Sequence, residues 1–387
     1  MKKQLNLTVL VSSLAVGGAE QLLLMLLDNI NRHRFAVRIV FLRSPGMVGN
    51  ELMSCGDEII TNVLRSRFDP VGFFRLVHLF RSAPTDVLLL INHLNTLVYG
   101  VPAARIAGVP ACVNWENETF KRYPFHPFTM FCRRLFHAGV DVVVAAANGH
   151  KHYIAEVEKI PLQKIEVIYN GVEPARFRST LPPHEARERL GIPGTSPVVS
   201  ILAVLRPDKA HEVFLDAAAL IRQTLPDTHF LILGDGPQRL FLEQYAAARG
   251  LSGSVHFLGF QRELADILAA VDVNMLTSKP EQETLSVAAI EAMAAGIPIV
   301  CTDVGCMDEI VIQGVTGFRV PVGDVRALAG RALEILRNPE IKERMGAACK
   351  HLVEEKLSAR QMTESFEDLF LRTYTRVVTR KRIPRHD

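Results

Sequence analysis

The stretch EQETLSVAAIEAMAAGIPIV, residues 281–300, decides the fold. An apolar run ends just before it, near Leu276, and a polar loop follows. The spacing predicts a helix from about Ser286 that stops at Gly296, with Pro298 beyond it and a β-branched run at 299–302. That is a strand, a loop, a helix and a second strand. Outward from it the same alternation recurs. Short apolar runs at 5–11, 37–42, 86–91, 112–115, 142–145 and 166–168 read as one set of strands. Runs at 198–204, 229–233, 255–258 and 273–276 join 299–302 as a second set. Strand-like runs alternating with helical patterns predict an α/β protein with parallel sheets covered on both faces.

Residues 170–197 break this rhythm. They carry Pro174, Pro182, Pro183, Pro193 and Pro197 with Gly191 and Gly194, and hold one short helical stretch near 185–190. Such a composition marks a domain connection. The boundary is placed near residue 172, giving an N-terminal domain 1–172 and a C-terminal domain 173–358. A last amphipathic stretch, 359–378, has no strand after it, and the segment 359–387 is expected to pack back on the first domain.

Composition agrees. A chain of 387 residues with 48% hydrophobic and 22% charged residues has enough apolar material for two cores. A net charge of +3 without long basic runs argues against nucleic acid as a partner. The six cysteines, at 55, 112, 132, 301, 306 and 349, form no CxxC pair, so zinc-ribbon and redox readings lack support and a reducing cytoplasm fits. Lys2 and Lys3 before LNLTVLVSSLAVGGA resemble a signal peptide, but Asn6, Thr8, Ser12 and Ser13 interrupt the apolar run and suit a first strand better. No run is long enough for a transmembrane helix.

Three places have residues suited to chemistry. Gly17 and Gly18 follow the first strand and open a Leu-rich helix, where backbone N–H groups can receive an anion; a plain tight turn is the competing reading. Arg206 and Lys209 follow the first strand of the second domain, where an α/β sheet places its ligand crevice, and ordinary surface charge is the alternative. Glu283 falls in the loop after the strand ending near Leu276, and Glu291 lies roughly 8 to 12 Å away along the helix. An acid in so apolar a helix needs a partner, either a polyhydroxylated ligand or a neighbouring basic side chain.

Together these motifs resemble glycosyltransferase family 4, retaining enzymes of the GT-B fold. The resemblance spans nearly the whole chain. It rests on Glu283 and Glu291 in a Glu-x7-Glu motif, the following AMAAGIPIV, and GDGP at 234–237. The stretch from Arg206 to Lys209, the early GGAE at 17–20 and the NGV at 170–172 agree. The resemblance implies two Rossmann-like β/α/β domains whose parallel sheets face across a cleft, with the acceptor on the first and a nucleotide-sugar donor on the second. Glu283 would hold hydroxyls of the sugar and Glu291 the ribose diol. Arg206 and Lys209 would grip the diphosphate, helped by backbone N–H groups at Leu285, Ser286 and Val287, with Gly17 and Gly18 from the other domain. The base would lie near Phe257 to Phe260, mainly on backbone and apolar contacts.

The chain departs from the family pattern at three points. Val204 stands where an arginine is common, and Thr284 where glycine is. The family's histidine after the strand ending in VNWEN, 113–117, is missing; His93, after the earlier strand, is a candidate cleft residue, with a structural role as the alternative. No Asp-x-Asp motif occurs, so neither a metal nor another cofactor is expected. The implied chemistry is transfer of a sugar from a UDP- or GDP-sugar to a glycan or lipid-linked acceptor in polysaccharide or glycolipid synthesis. A nucleotide-sugar epimerase, a silent nucleotide-sugar binding protein and a two-carboxylate glycosidase are the alternatives. A nicotinamide enzyme is disfavoured because its glycine fingerprint is absent.

Two stretches, RSRFDPVGFFR at 65–75 and FKRYPFHPF at 120–128, mix cations with aromatics. They suit an anionic membrane surface, which would place the protein on the inner face of the cytoplasmic membrane. The competing reading takes Phe128, Phe131, Leu135 and Phe136 as core, since they recur at helical spacing.

Overall fold

The computed structural model describes residues 4–13, 18–46, 58–66, 68–91, 94–117, 127–280 and 283–382. The chain divides into two compact units, residues 1–169 with 359–387, and residues 170–358.

In unit 1 the strands are β1 (Leu5–Val11), β2 (Phe35–Phe41), β3 (Glu58–Ile60), β4 (Val87–Ile91), β5 (Ala111–Glu116), β6 (Val142–Ala145) and β7 (Ile165–Val167). They form one parallel sheet in the order β3-β2-β1-β4-β5-β6-β7. The polar interruptions of β1 are all satisfied within the sheet. Asp86 accepts from the backbone and side-chain nitrogens of Asn6 at 2.9 Å each, and the hydroxyls of Thr8 and Thr85 meet at 3.0 Å. The three-residue edge strand β3 was not among the runs read from the sequence. Helices α1 (Gly18–Asn29), α2 (Pro70–Ser82), α3 (Val101–Ala107), α4 (Pro127–His137) and α5 (Asn148–Glu158) cover the sheet. Leu76, Val77 and Phe80 of α2, Val101 and Ala104 of α3, and Tyr153 and Ile154 of α5 share one core with Leu10, Leu88, Leu90 and Val143.

Helix α4 departs from the core reading. Phe136 packs on the core, but Phe128, Phe131 and Leu135 are exposed. The buried face of α4 is polar instead. The Arg133 guanidinium bonds Glu116 of β5 and Glu158 of α5 at 2.7 Å each, and all three side chains are at most 3% exposed. Burial pushes the His137 imidazole down to about 4, which leaves it neutral beside them.

Unit 2 has β8 (Val198–Leu202), β9 (His229–Leu233), β10 (Val255–Gly259), β11 (Val273–Leu276), β12 (Ile299–Thr302) and β13 (Gly317–Val320). They form a second parallel sheet in the order β10-β9-β8-β11-β12-β13. Its helices are α6 (Pro183–Arg189), α7 (His211–Thr224), α8 (Arg239–Ala248), α9 (Ala265–Ala269), α10 (Val287–Ala295), α11 (Val325–Leu336) and α12 (Pro339–Lys356). Strand β13 was likewise not among those runs. Both sheets reverse direction at their first strand, next to β4 in unit 1 and next to β11 in unit 2.

The last helix, α13 (Ala359–Arg382), belongs to unit 1. Phe366 and Phe370 stack against Trp115 and Phe35, on the sheet face opposite the α2–α5 core. Burying an aromatic ring of this size stabilises by roughly 1.5–3 kcal/mol. Glu367 accepts from the Asn31 backbone at 2.7 Å and from Arg34 at 2.5 Å. Among the described residues no helix is long and apolar enough to cross a membrane.

Removing Arg133 strands two acids inside the core. Arg133→Met is expected to destabilise unit 1 by about 3–5 kcal/mol, the range for breaking a buried ion pair by deleting one partner. Urea denaturation at pH 8 measures it, and an unchanged midpoint would mean that the acids are satisfied without the arginine.

Candidate functional site

In an open parallel sheet the strand order reverses at one point, and the loops leaving the two strands there splay apart to open a crevice. In unit 2 those strands are β8 and β11. The loop after β8 carries Arg206 and Lys209, and the loop after β11 carries Glu283. Topology therefore brings together groups 74 residues apart in sequence. Lys209 Nζ donates to Glu283 Oε2 at 2.7 Å, with side chains 16% and 8% exposed.

The backbone around this pair is held on each side. Pro207–Lys209 forms a single tight turn, and Ala210 follows at φ +47°, a left-handed conformation that costs a non-glycine residue about 1–2 kcal/mol. The Thr277 hydroxyl is shared between the carbonyls of Lys209, at 2.8 Å, and Ala210, at 3.1 Å. On the glutamate side, Ser278 Oγ donates to Glu283 Oε2 at 2.8 Å. Gly305, at φ +58°, lies against the Glu283 carbonyl so closely that an added Cβ would sit 2.4 Å from it. The Cys306 N–H donates to the Thr284 carbonyl at 2.7 Å. Thr284 itself is buried and has an ordinary φ, so this departure from glycine carries no left-handed strain.

Arg206 does not join the ion pair. Its guanidinium is half exposed and bonds Asp208 at 3.0 Å, so it stands beside the lysine as a second cation open to an incoming anion. Val204 is partly exposed and adds no charge. Helix α10 begins as expected: Ser286 is its N-cap, with Oγ accepting from the Ala289 N–H, and Leu285 and Val287 flank it. Asn170, at the start of unit 2, donates through Nδ2 to the Leu285 carbonyl at 3.2 Å, while its buried Oδ1 has no partner. A helix start held this way leaves N–H groups and a positive dipole end for an anion.

Glu291 has a different environment. Burial raises its carboxyl to about 7, and the opposing charge is Arg176, on the turn Pro174–Phe177. Among the described residues it makes no hydrogen bond or ion pair. Phe260, exposed at the end of β10, follows Gly259, whose carbonyl accepts from the Gly234 N–H at 2.9 Å. Gly234 opens the GDGP turn because its Cα passes so close to the Ala203 carbonyl that a Cβ would come within 2.0 Å of it.

Gly18 is the first residue of α1 in unit 1 and is exposed. Gly17 and His93 lie outside the described residues. Thr277 and Ser278 were not singled out from sequence, since a hydroxyl at a strand end looks like any turn residue, and Asn170 stood out only as part of the NGV at 170–172. The described residues contain one metal-like donor set, Glu116, His137 and Glu158. Its two acids already bond the guanidinium of Arg133, whose charge would repel a cation.

A family model described as glycosyl transferases group 1 matches residues 184–352, and one described as glycosyltransferase family 4 matches residues 16–176. EpsD of Bacillus subtilis (strain 168) is 30% identical over 304 residues, covering 73% of this chain and 77% of EpsD. N-acetyl-alpha-D-glucosaminyl L-malate synthase of Bacillus anthracis is 28% identical over 231 residues, 59% of each chain. The E. coli UDP-Gal:alpha-D-GlcNAc-diphosphoundecaprenol alpha-1,3-galactosyltransferase is 25% identical over 289 residues, 72% of this chain and 73% of that one. Among solved structures, Anabaena Alr3699/HepE in complex with UDP-glucose aligns with a TM-score of 0.81 at 22% identity, covering 95% of this chain and all of the other. The lipopolysaccharide glycosyltransferase WaaG aligns with a TM-score of 0.73 at 13% identity, covering 94% and 99%. These likenesses show a GT-B fold.

The pKa of Glu291 makes a signed prediction. The folded state holds this proton more tightly than the unfolded chain does, so its contribution to stability is complete at low pH and lost as pH rises through about 7. Glu291→Gln is therefore expected to raise the melting temperature at pH 8.5 and leave it unchanged at pH 4.5. An equal shift at both values would show that the carboxyl titrates normally.

Proposed function

The chain belongs to the group 1, family 4 glycosyltransferases, and from that premise we propose that it transfers a sugar, with retention and without a metal, from a UDP- or GDP-sugar to a glycan or lipid-linked acceptor. The observation that carries this reading is the Lys209–Glu283 pair with Arg206 beside it and the capped start of α10 next to it. Cations and helix N–H groups suit a diphosphate, and a fixed carboxylate suits sugar hydroxyls. The UDP-glucose complex of HepE favours UDP as the first nucleotide to test.

In the proposed reaction the bond from the anomeric carbon to the β-phosphate oxygen breaks. The acceptor hydroxyl oxygen bonds to the same face of that carbon, and its proton passes to the leaving phosphate. Negative charge grows on the diphosphate, where Arg206, Lys209 and the N–H groups from Leu285 to Val287 stabilise it. Glu283 holds the sugar and Glu291 the ribose diol. Phe260 lies by the base, and Gly17 and Gly18 keep the donor-binding role that the resemblance implies. His93 is proposed as a residue near the acceptor. This route needs no enzymic nucleophile, and the absence of an Asp-x-Asp motif from the sequence favours a metal-free site. Unit 1 is assigned the acceptor and unit 2 the donor.

The acceptor is proposed to lie at an anionic membrane. Val71 and Phe74 on α2, and Phe131 and Leu135 on α4, expose apolar surface, with Arg75 and Arg134 exposed among them. Aromatics among arginines suit the headgroup boundary of an anionic bilayer at the cytoplasmic face.

Thermal shifts with UDP-glucose, UDP-galactose, UDP-N-acetylglucosamine and GDP-mannose identify the donor. With it, Glu283→Ala and Arg206→Ala are each expected to lower turnover by about 100-fold or more. An isomerised donor formed without acceptor would replace the reading with an epimerase, and binding without turnover would replace it with a silent binding protein. Flotation with phosphatidylserine vesicles is expected to carry the wild-type chain upward, less so at high salt, and to fail for the Phe74→Ser, Phe131→Ser double variant. A wild-type chain that stays at the bottom at every salt concentration removes the membrane from the proposal.

A further inference from the structure

Two adjacent residues at the end of β11 hold the two members of the ion pair. The Thr277 hydroxyl bonds the backbone carbonyl of Lys209, and the Ser278 hydroxyl bonds the carboxylate of Glu283. Ser278 is fully buried, and its own carbonyl accepts from Thr302 Oγ1 at 2.8 Å, so it is tied to the neighbouring strand β12. A buried hydroxyl costs desolvation energy that alanine or valine would avoid, unless its partner requires it.

We infer that Ser278 and Thr277 are positioning residues for sugar transfer, with Ser278 keeping the Glu283 carboxylate aimed while Lys209 changes partners. The inference rests on the transferase reading. Without donor, Glu283 Oε2 receives two bonds, from Lys209 at 2.7 Å and from Ser278 at 2.8 Å. Lysine is a point charge on a flexible four-carbon stem, and a diphosphate at the start of α10 draws its ammonium away from the carboxylate. Serine has one rotatable bond to its hydroxyl and sits on a strand end pinned by Thr302. It is a donor that stays in place when the lysine moves. A carboxylate that lost both bonds would turn to new rotamers, and an ångström of misplacement is enough to lower a rate about 100-fold. Thr277 acts on the other partner. By holding the carbonyls on both sides of the left-handed Ala210 joint, it sets where the lysine stem begins.

The test compares Ser278→Ala, Ser278→Thr and Thr277→Val with Glu283→Gln. It uses whichever of the four sugar nucleotides the wild-type chain turns over, and UDP or GDP alone as a second probe. Ser278→Ala is expected to lower kcat 10- to 100-fold while affinity for the nucleotide alone stays within twofold, since Glu283 touches sugar and not nucleotide. Ser278→Thr, which restores the hydroxyl, is expected to recover most of the rate. Thr277→Val is expected to weaken nucleotide affinity as well, because it acts through Lys209. Should Ser278→Ala fail to fold, Ser278→Cys keeps the volume with a poor donor and reads the same contrast. A Ser278→Ala or Ser278→Cys variant within twofold of wild type in kcat, or one whose nucleotide affinity falls in step with kcat, overturns the positioning role while an inactive Glu283→Gln leaves the transferase reading standing. Full activity in Glu283→Gln overturns that reading itself, and this inference with it.

Discussion

A buried pairing of opposite charges, Lys209 with Glu283, is the constraint around which the C-terminal unit is arranged. Withdrawing two ions from water costs several kcal/mol each, and their attraction returns this only where geometry is good and the other lone pairs are filled. The surroundings meet both conditions. The strand order puts the loops after β8 and β11 side by side. Thr277, Ser278, Gly305 and Cys306 then fix the two backbones and one carboxylate oxygen. A hydrophobic pair of the same volume would satisfy the fold at lower cost. That the chain retains ions at this position, at the mouth of a sheet, points to ligand chemistry more than to stability.

Much of the architecture was legible because its signals are local. The run from Leu276 to Thr302 declares strand, helix stop and strand through Gly296 and Pro298, and the helix it predicts differs from α10 by a single residue at the start. Repetition of that pattern was enough for two parallel sheets. The omissions, β3 and β13, are edge strands of three and four residues. The site was legible in its residues and not in its bonds. Glu283, Lys209 and Arg206 stand out by type and position, yet that the lysine pairs with the acid while the arginine turns to Asp208 is a matter of three-dimensional placement that no local signal declares. Ser278 and Thr277 went unnoticed for a similar reason. Their role comes from what they face in space, and a hydroxyl at the end of an element has several ordinary explanations.

Helix α4 shows how a periodic pattern misleads. Phe128, Phe131, Leu135 and Phe136 read as a core stripe, because apolar residues at helical spacing usually are one. In the fold Phe128, Phe131 and Leu135 face outward while Phe136 alone of the four packs on the core, and the helix is anchored by its charged residue. The distinction was available in principle from Glu116 and Glu158, two acids in apolar surroundings that each need a cation, but nothing local says that Arg133 is their shared partner. Inverting the usual arrangement leaves α4 with an apolar exterior held in place by an ionic interior. A helix of that kind presents greasy surface to its surroundings without loosening its attachment to the sheet.

The two acids of the Glu-x7-Glu motif are not interchangeable, and their environments say why. Glu283 has its charge balanced by Lys209 and its oxygen held by Ser278. Glu291, eight residues later, feels only the more distant Arg176, and burial raises its carboxyl to about 7. A pair with one ionised and one easily protonated carboxyl superficially suits glycoside hydrolysis, where an acid and a nucleophile flank one bond. For that the two must address the same atom. Here each is matched to a different cation, on the 207–209 turn for one and the 174–177 turn for the other. Acids held apart in this way suit two polyol groups of one extended ligand, a hexose at one end and a ribose nearer the other. In the proposed reading a ribose diol donating to Glu291 would stabilise its ionised form, so nucleotide binding and proton release at this residue would be one coupled event.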